Sequence, residues 1–228
     1  MNHSLAIRYS LLSIRSPVKA VSIQADYASH KVPEAALVAA LGKRSIVLVG
    51  MMGAGKSSIG RRLAHRMGIP FVDADAEIEK AAGMSISDIF AVHGELDFRA
   101  GEARVIARLL EGGPQVLATG GGAFLNPGTR AGIAAKGISV WLKAEPDVLL
   151  RRIKRRHDRP LLATDDPAVT VRELVAARYP VYAQAALTIQ SRDVPHEKIV
   201  DEILDALALA LGVAQALPAC PPNQESAS

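Results

Sequence analysis

The chain has 228 residues, 49% hydrophobic and 22% charged, a composition of the soluble globular class and a length for one ordinary domain rather than two. Its longest mostly apolar stretch, Ile203 to Ala214, is broken by Asp205 and falls short of the roughly 20 residues that a membrane-spanning helix needs, which argues against an integral membrane protein. The net charge of +4 belongs to residues 1–44, which hold six of the 27 basic and two of the 23 acidic residues; the rest is neutral, and four Phe, four Tyr and one Trp make no stacking platform for bases, so no nucleic-acid partner is expected.

The chain begins with 25 residues that contain no acid, many Ser and scattered Arg and Lys. That is how an organelle transit peptide reads, but the segment has neither an amphipathic period nor the apolar core of a secretory signal, and a disordered leader is the expectation. Residues 1–43 form this leader, with one short helix in the alanine-rich run Pro33 to Leu41. Residues 44–212 form the domain, and residues 213–228 a Pro- and Ser-rich tail that buries too little apolar surface to order itself. The single cysteine, Cys220, lies in that tail, so an internal disulfide and a Cys-based metal cluster are excluded and a reducing compartment fits.

Within the domain, short β-rich runs alternate with helical stretches. Strands are expected at Ser45 to Val49, Pro70 to Val72, Gln115 to Ala118, Ile138 to Leu142 and Leu187 to Ile189. Helices are expected at Lys56 to Met67, Asp75 to Ala82, Glu95 to Leu110, Pro146 to Arg156, Val169 to Ala185 and Pro195 to Leu211. Such alternation predicts βαβ crossovers and a parallel five-stranded sheet with helices on both faces, whose ligands bind at the carboxyl ends of the strands.

Directly after the first strand stands Gly50-Met51-Met52-Gly53-Ala54-Gly55-Lys56-Ser57, a phosphate-binding loop in the strand-to-helix context that this motif requires. Backbone N–H groups from Gly53 to Ser58 and the dipole of the following helix would hold the phosphates of a nucleoside triphosphate. Lys56 would reach the β- and γ-phosphates, and the Ser57 hydroxyl would ligate Mg²⁺. The second strand ends in Phe71-Val72-Asp73-Ala74-Asp75, with two carboxylates on one side of an extended chain. They could share the holding of Mg²⁺ and the reception of an acceptor hydroxyl, or one of them could simply cap the next helix.

Gly120-Gly121-Gly122 follows the third strand, either as a close backbone approach to a ligand or as a flexible loop. Arg99 and Glu102, at i and i+3, either fix a guanidinium fork for a substrate carboxylate or form a surface ion pair. From Arg151 to Arg159 six of nine residues are basic, a solvated face or, in a phosphotransferase, an arm and lid that close over the triphosphate, the lid running from about Arg156 to Pro167. His65, His93, His157 and His196 show no metal-ligand spacing and read as structural or surface residues.

The segments GMMGAGKS, FVDAD, ELDFRAGE, TGGG, DRPLL and AARYPVY, in this order and over roughly Arg44 to Leu211, resemble shikimate kinase, a P-loop family similar to the nucleoside-monophosphate kinases. The resemblance implies a three-layer α/β/α P-loop kinase fold with a mobile lid, ATP and Mg²⁺ as cofactors, and transfer of the γ-phosphoryl group to the 3-hydroxyl of shikimate in aromatic amino-acid biosynthesis. A cytoplasmic monomer is implied, or a plastid enzyme if the leader is a transit peptide. Carried over residue by residue, it puts Lys56 and Ser57 on phosphates and metal, Asp73 in the outer shell of Mg²⁺, and Asp75 on the reacting hydroxyl. Arg99 and Arg178 resemble the two arginines that grip the substrate carboxylate, with Glu102 steadying the first, and Gly121 and Gly122 line the substrate site. Arg159 resembles the lid arginine on the transferring phosphate, Arg152 the arginine stacked on adenine, and Arg192 and Pro195 stand where further adenine contacts would be. A gluconate-kinase-like enzyme, a nucleotide-dependent switch and a catalytically silent binding module are the rival readings; the last would have lost Lys56, Asp73 or Asp75.

Overall fold

The computed structural model describes residues 32–154 and 166–213. Its centre is β1 (Ser45–Val49), a strand in which every residue is buried, as expected of an uninterrupted β-branched and aliphatic run covered on both faces. Parallel pairing joins β1 to β3 (Val116–Ala118) on one side and to β4 (Gly137–Lys143) on the other, with β2 (Phe71–Asp73) outside β3 and β5 (Leu187–Gln190) outside β4. The order β2-β3-β1-β4-β5 is a five-stranded, all-parallel sheet. The five predicted strands are these five, with no end shifted by more than one residue.

Parallel neighbours require crossovers, and these are α2 (Lys56–Met67), α3 (Ala74–Ala82), α4 (Ile86–Leu109), α5 (Pro127–Lys136), α6 (Pro146–Lys154) and α7 (Pro167–Tyr182), while α8 (His196–Ala210) follows the last strand. Two departures from expectation stand out. The fourth helix starts at Ile86 rather than Glu95, capped by Ser85, whose hydroxyl accepts from Asp88 N–H at 3.1 Å, and it breaks at Gly94 (φ 77°, ψ 173°). The helix α5 has no counterpart in the expected set. Its sequence PGTRAGIAAK carries two glycines, but Asn126 caps it by accepting from Gly128 N–H and Thr129 N–H at 2.8 and 3.2 Å, and Pro127 stands at the first turn.

Ahead of β1, the alanine-rich run forms α1 (Glu34–Leu41). It is no loose appendage: Leu37 and Leu41 are each 1% exposed and join the main core, against α2 and α8. Arg66 of α2 bonds Glu34 of α1 at 2.9 Å and Asp201 of α8 at 3.0 Å, so one guanidinium ties the three helices. Among the described residues, no helix is long and apolar enough to cross a membrane.

Each fully buried leucine contributes about 1.5–3 kcal/mol of transfer energy. Leu41→Ala should therefore destabilise the domain by about 2–4 kcal/mol once the residual cavity is included. Urea unfolding followed by the fluorescence of Trp141, the single tryptophan, measures this; a change below about 0.5 kcal/mol would mean that α1 is not part of the cooperative core.

Candidate active site

Three of the motifs with chemical content follow the carboxyl end of a strand, while Arg99 with Glu102 lies within α4 and Arg178 within α7. The loop after β1, the turn after β2 and the loop after β3 converge on a cleft of about 440 Å³. Met52, Gly53, Gly55, Lys56, Ser57 and Ser58 form one wall, Asp73 and Asp75 a second, Thr119, Gly120 and Gly121 the floor, and Arg152, Ile153 and His196 the far end.

The phosphate loop holds its own shape. Gly55 enters α2 in the left-handed region (φ 93°), Ala54 is fully buried, and the Ala54 carbonyl accepts the Ser191 hydroxyl at 2.8 Å. The Lys56 ammonium donates to the carbonyls of Gly50 and Met51 at 2.8 and 2.9 Å, which keeps its charge at the loop's mouth. Ser57 donates its hydroxyl to Asp73 Oδ2 at 2.8 Å, while Asp73 Oδ1 accepts the N–H of Asp75 at 3.2 Å. Asp73 thus caps α3 with one oxygen and presents the other to the phosphate loop, so the cap and the site readings of this residue hold together. Burial, and next the charge of Asp73, push the Asp75 carboxyl up to about 6; Lys56 pulls the other way.

At the first and third residues of the triple glycine the packing is closer than a side chain would permit without displacing its neighbours. A Cβ on Gly120 would stand 2.7 Å from Asp75 Oδ1 and 2.9 Å from Glu102 Oε1; one on Gly122 would stand 2.4–2.6 Å from the Arg99 guanidinium. Gly121 lies between the phosphate loop and Arg178, with the Met52 N–H at 3.6 Å and Arg178 Nη1 at 3.7 Å from its Cβ position. Arg99 is therefore spread over the loop from one side and Arg178 approaches from the other. Glu102, 3% exposed, accepts from Arg99 Nη1 at 2.7 Å, and Glu95 accepts from the same guanidinium at 3.3 Å. Burial raises the Glu102 carboxyl against the pull of Arg99. Although burial works against the Arg99 charge, Glu102 and Glu95 hold it above its ordinary value.

At the far end, Arg152 Nη1 donates to Ser191 Oγ at 2.9 Å and its Nη2 to the Arg192 carbonyl at 2.8 Å and Asp193 at 3.1 Å. Arg192 itself is exposed and paired with Glu202 of α8, so it is not among the residues that line the cleft. The expected lid and its Arg159 lie outside the described residues, except that Asp166 and Pro167 belong to α7: Asp166 Oδ1 accepts from Ala168 N–H at 2.8 Å and Val169 N–H at 3.1 Å.

Sequence reasoning missed two lining residues. Thr119 is buried and donates to the Leu48 carbonyl at 3.1 Å, securing the start of the glycine loop. His196, read above as structural, opens α8 and faces the cleft; burial and then the charge of Arg62 lower its pKa. The available signal was its position just after a strand's carboxyl end, where the other site residues also stand.

Comparison with known proteins places these features in a family. The family model described as shikimate kinase matches residues 52–208. A protein named shikimate kinase from Rhodopseudomonas palustris is 66% identical over 174 residues, 76% of this chain and 86% of its own length. One from Bradyrhizobium diazoefficiens is 66% identical over 175 residues, covering 77% and 84%. The solved shikimate kinase from Acinetobacter baumannii in complex with shikimate superposes with a TM-score of 0.70 at 36% identity, over 77% of this chain and 98% of that one.

The glycine packing generates a test. Gly122 has ordinary right-handed torsions (φ −94°, ψ −20°), so Gly122→Ala strains no backbone, yet its methyl must displace the Arg99 guanidinium. The melting temperature should stay within about 2 °C while kcat/KM for the phosphoryl acceptor falls by about tenfold or more. An unchanged kcat/KM would mean that Arg99 is not held in a working position by this loop.

Proposed function

The chain belongs to the shikimate kinase family, and on that premise we propose that it transfers the terminal phosphoryl group of ATP to the 3-hydroxyl of shikimate. The observation that carries this reading is the juxtaposition of a phosphate loop that lines the cleft with two arginines packed on the glycine loop of the same cleft. The first is the receptor for a triphosphate. The second is a fork for a carboxylate, and Asp75 lines the cleft against the same glycine loop.

In this mechanism Arg99 and Arg178 grip the substrate carboxylate and so fix the ring. Asp75 accepts a hydrogen bond from the 3-hydroxyl and takes its proton as the new O–P bond forms and the bond from the γ-phosphorus to the bridging oxygen breaks, releasing ADP. Lys56 neutralises charge on the β- and γ-phosphates, and the N–H groups of Gly53, Ala54, Gly55, Lys56, Ser57 and Ser58 cradle them. Arg152 and His196 bound the nucleoside end. The Ser57 hydroxyl and Asp73 carboxylate, hard oxygens 2.8 Å apart beside the phosphate loop, are the donor set that Mg²⁺ prefers. When bound there, Mg²⁺ supplies charge neutralisation on the phosphates. The bacterial relatives support the cytoplasm as the chain's compartment.

Release of ADP, measured side by side with shikimate, gluconate and nucleoside monophosphates, tests the assignment; turnover of gluconate or a nucleotide in preference to shikimate would overturn it. Arg99→Ala should lower kcat/KM for shikimate by about 30- to 1,000-fold, with the KM for ATP within about twofold.

Asp75 yields a pH prediction. Its carboxyl must be ionised to take the proton, so kcat/KM of the parent should fall as pH drops through about 6. A folded-state pKa raised above the ordinary 3.8 means that the ionised form is costlier in the folded protein, so the stability it contributes is lost as pH rises from about 4 to about 6. Asp75→Asn should thus raise the melting temperature at pH 7.5 while lowering kcat by on the order of 10² or more. A variant that is less stable and still active would refute both halves.

A further inference from the structure

Tyr182 is the largest of the fully buried side chains and stands at 0% exposure, yet its polar tip does not merely hide. The hydroxyl donates to the carbonyl of Gly121, the middle residue of the glycine loop, and lies 3.9 Å from the sulfur of Met51 in the phosphate loop. Four residues earlier on the same helix stands Arg178, one turn away, and its guanidinium faces the same hydroxyl and the same glycine: its Nη1 is 3.7 Å from the Gly121 Cβ position. Burial raises the Tyr182 pKa, with Arg178 opposing, so the group keeps the proton it donates.

The ring end is fixed independently. Tyr182 packs 6.0 Å from Trp141 and 6.3 Å from Tyr179, whose own ring meets Trp141 edge-on at 4.9 Å. Trp141 belongs to β4 beside the central strand, so the hydroxyl is braced against the sheet. The buried phenol therefore reaches from an aromatic cluster to the backbone carbonyl of Gly121, whose Cβ position faces both the phosphate loop and Arg178.

We propose that Tyr182 is a positioning residue for phosphoryl transfer: its hydroxyl pins the Gly121 carbonyl and aligns Arg178, setting the substrate fork at a fixed distance from the phosphate loop. The inference rests on the function proposed above for the identity of the acceptor, but not for the mechanical role of the hydroxyl.

Tyr182→Phe keeps the ring and deletes only the donor. Tyr179→Phe is the matched control, because its hydroxyl also bonds a backbone carbonyl, that of Ala144, away from the cleft. Tyr182→Phe should raise the KM for shikimate by about tenfold, with the KM for ATP within about twofold, whereas Tyr179→Phe should shift neither. In an Arg178→Ala background the same Tyr182→Phe change should cost less than about threefold, since a residue that acts through Arg178 has nothing left to align. Fully additive losses would overturn the proposal, as would a Tyr182→Phe enzyme whose kinetics match those of Tyr179→Phe.

A second readout is free of the acceptor's identity. Amide exchange at Gly122 and Ala123 should accelerate by about tenfold or more in Tyr182→Phe, while β1 and β4 amides keep their parent rates. Unchanged exchange there would sink the proposal. Accelerated exchange in a protein whose parent form does not phosphorylate shikimate would leave the positioning role standing and remove the assigned substrate instead.

Discussion

Gly120, Gly121 and Gly122 stand where two carboxylates, two guanidinium groups and the phosphate loop meet, and at the first and third glycines the charged groups approach closer than a methyl could without displacing them. Asp75 and Glu102 flank the first glycine, Arg178 and the phosphate loop the second, and the Arg99 guanidinium covers the third. Close approach of this kind converts a loop into a template: the charged groups are located by backbone, which does not rotate away as a side chain would. Thr119 and Tyr182 in turn hold that backbone, one through the Leu48 carbonyl before the loop and the other through Gly121.

The electrostatics of the cleft follow from this crowding. Burial, and then the charge of Asp73, disfavours the ionised form of Asp75, and Lys56 offsets only part of the cost, which is why Asp75 stands well above the usual carboxylate range. Burial beside a second carboxylate, against the pull of the nearby ammonium, gives Asp75 the proton affinity that the proposed base needs near neutrality. The exposed pairs elsewhere, such as Arg62 with Glu197 and Arg151 with Asp193, have no comparable influence, since solvent screens them. Arg99 with Glu102 differs because the carboxylate side is only 4% exposed, so removing the arginine leaves a buried charge without its partner.

The sheet supplies the rigidity that such a site requires. With β1 buried throughout and flanked by parallel neighbours, the phosphate loop springs from the stiffest part of the molecule. The aromatic cluster of Trp141, Tyr179 and Tyr182 extends that stiffness toward the substrate side, and α1 extends the core behind α2 and α8. Arg66 links α1 to both of those helices, so the leader's helix braces the element whose first turn carries Lys56 and Ser57.

Local chemistry alone determined the five strands and the phosphate loop and located the acidic pair after β2 and the glycine triplet, because each is written in consecutive residues, while the fold resolved the two readings that each of the last two allowed. The resemblance of six segments in register fixed the family from the same string. Tertiary structure decided what no local signal encodes. Gly94 interrupts a helical pattern that resumes beyond it, so the first half of α4 was hidden. The cap and proline that begin α5 were legible, but its two glycines obscured the apolar face that Ile133 buries against the sheet. Arg192 carries the same charge as Arg152, and only the fold turns one to Glu202 and the other to the cleft. His196 and Tyr182 are ordinary residues in sequence, separated by a strand. They acquire their positions because parallel crossovers bring the carboxyl ends of distant strands to one edge, and a three-dimensional convergence of that kind leaves no trace in the spacing of residues along the chain.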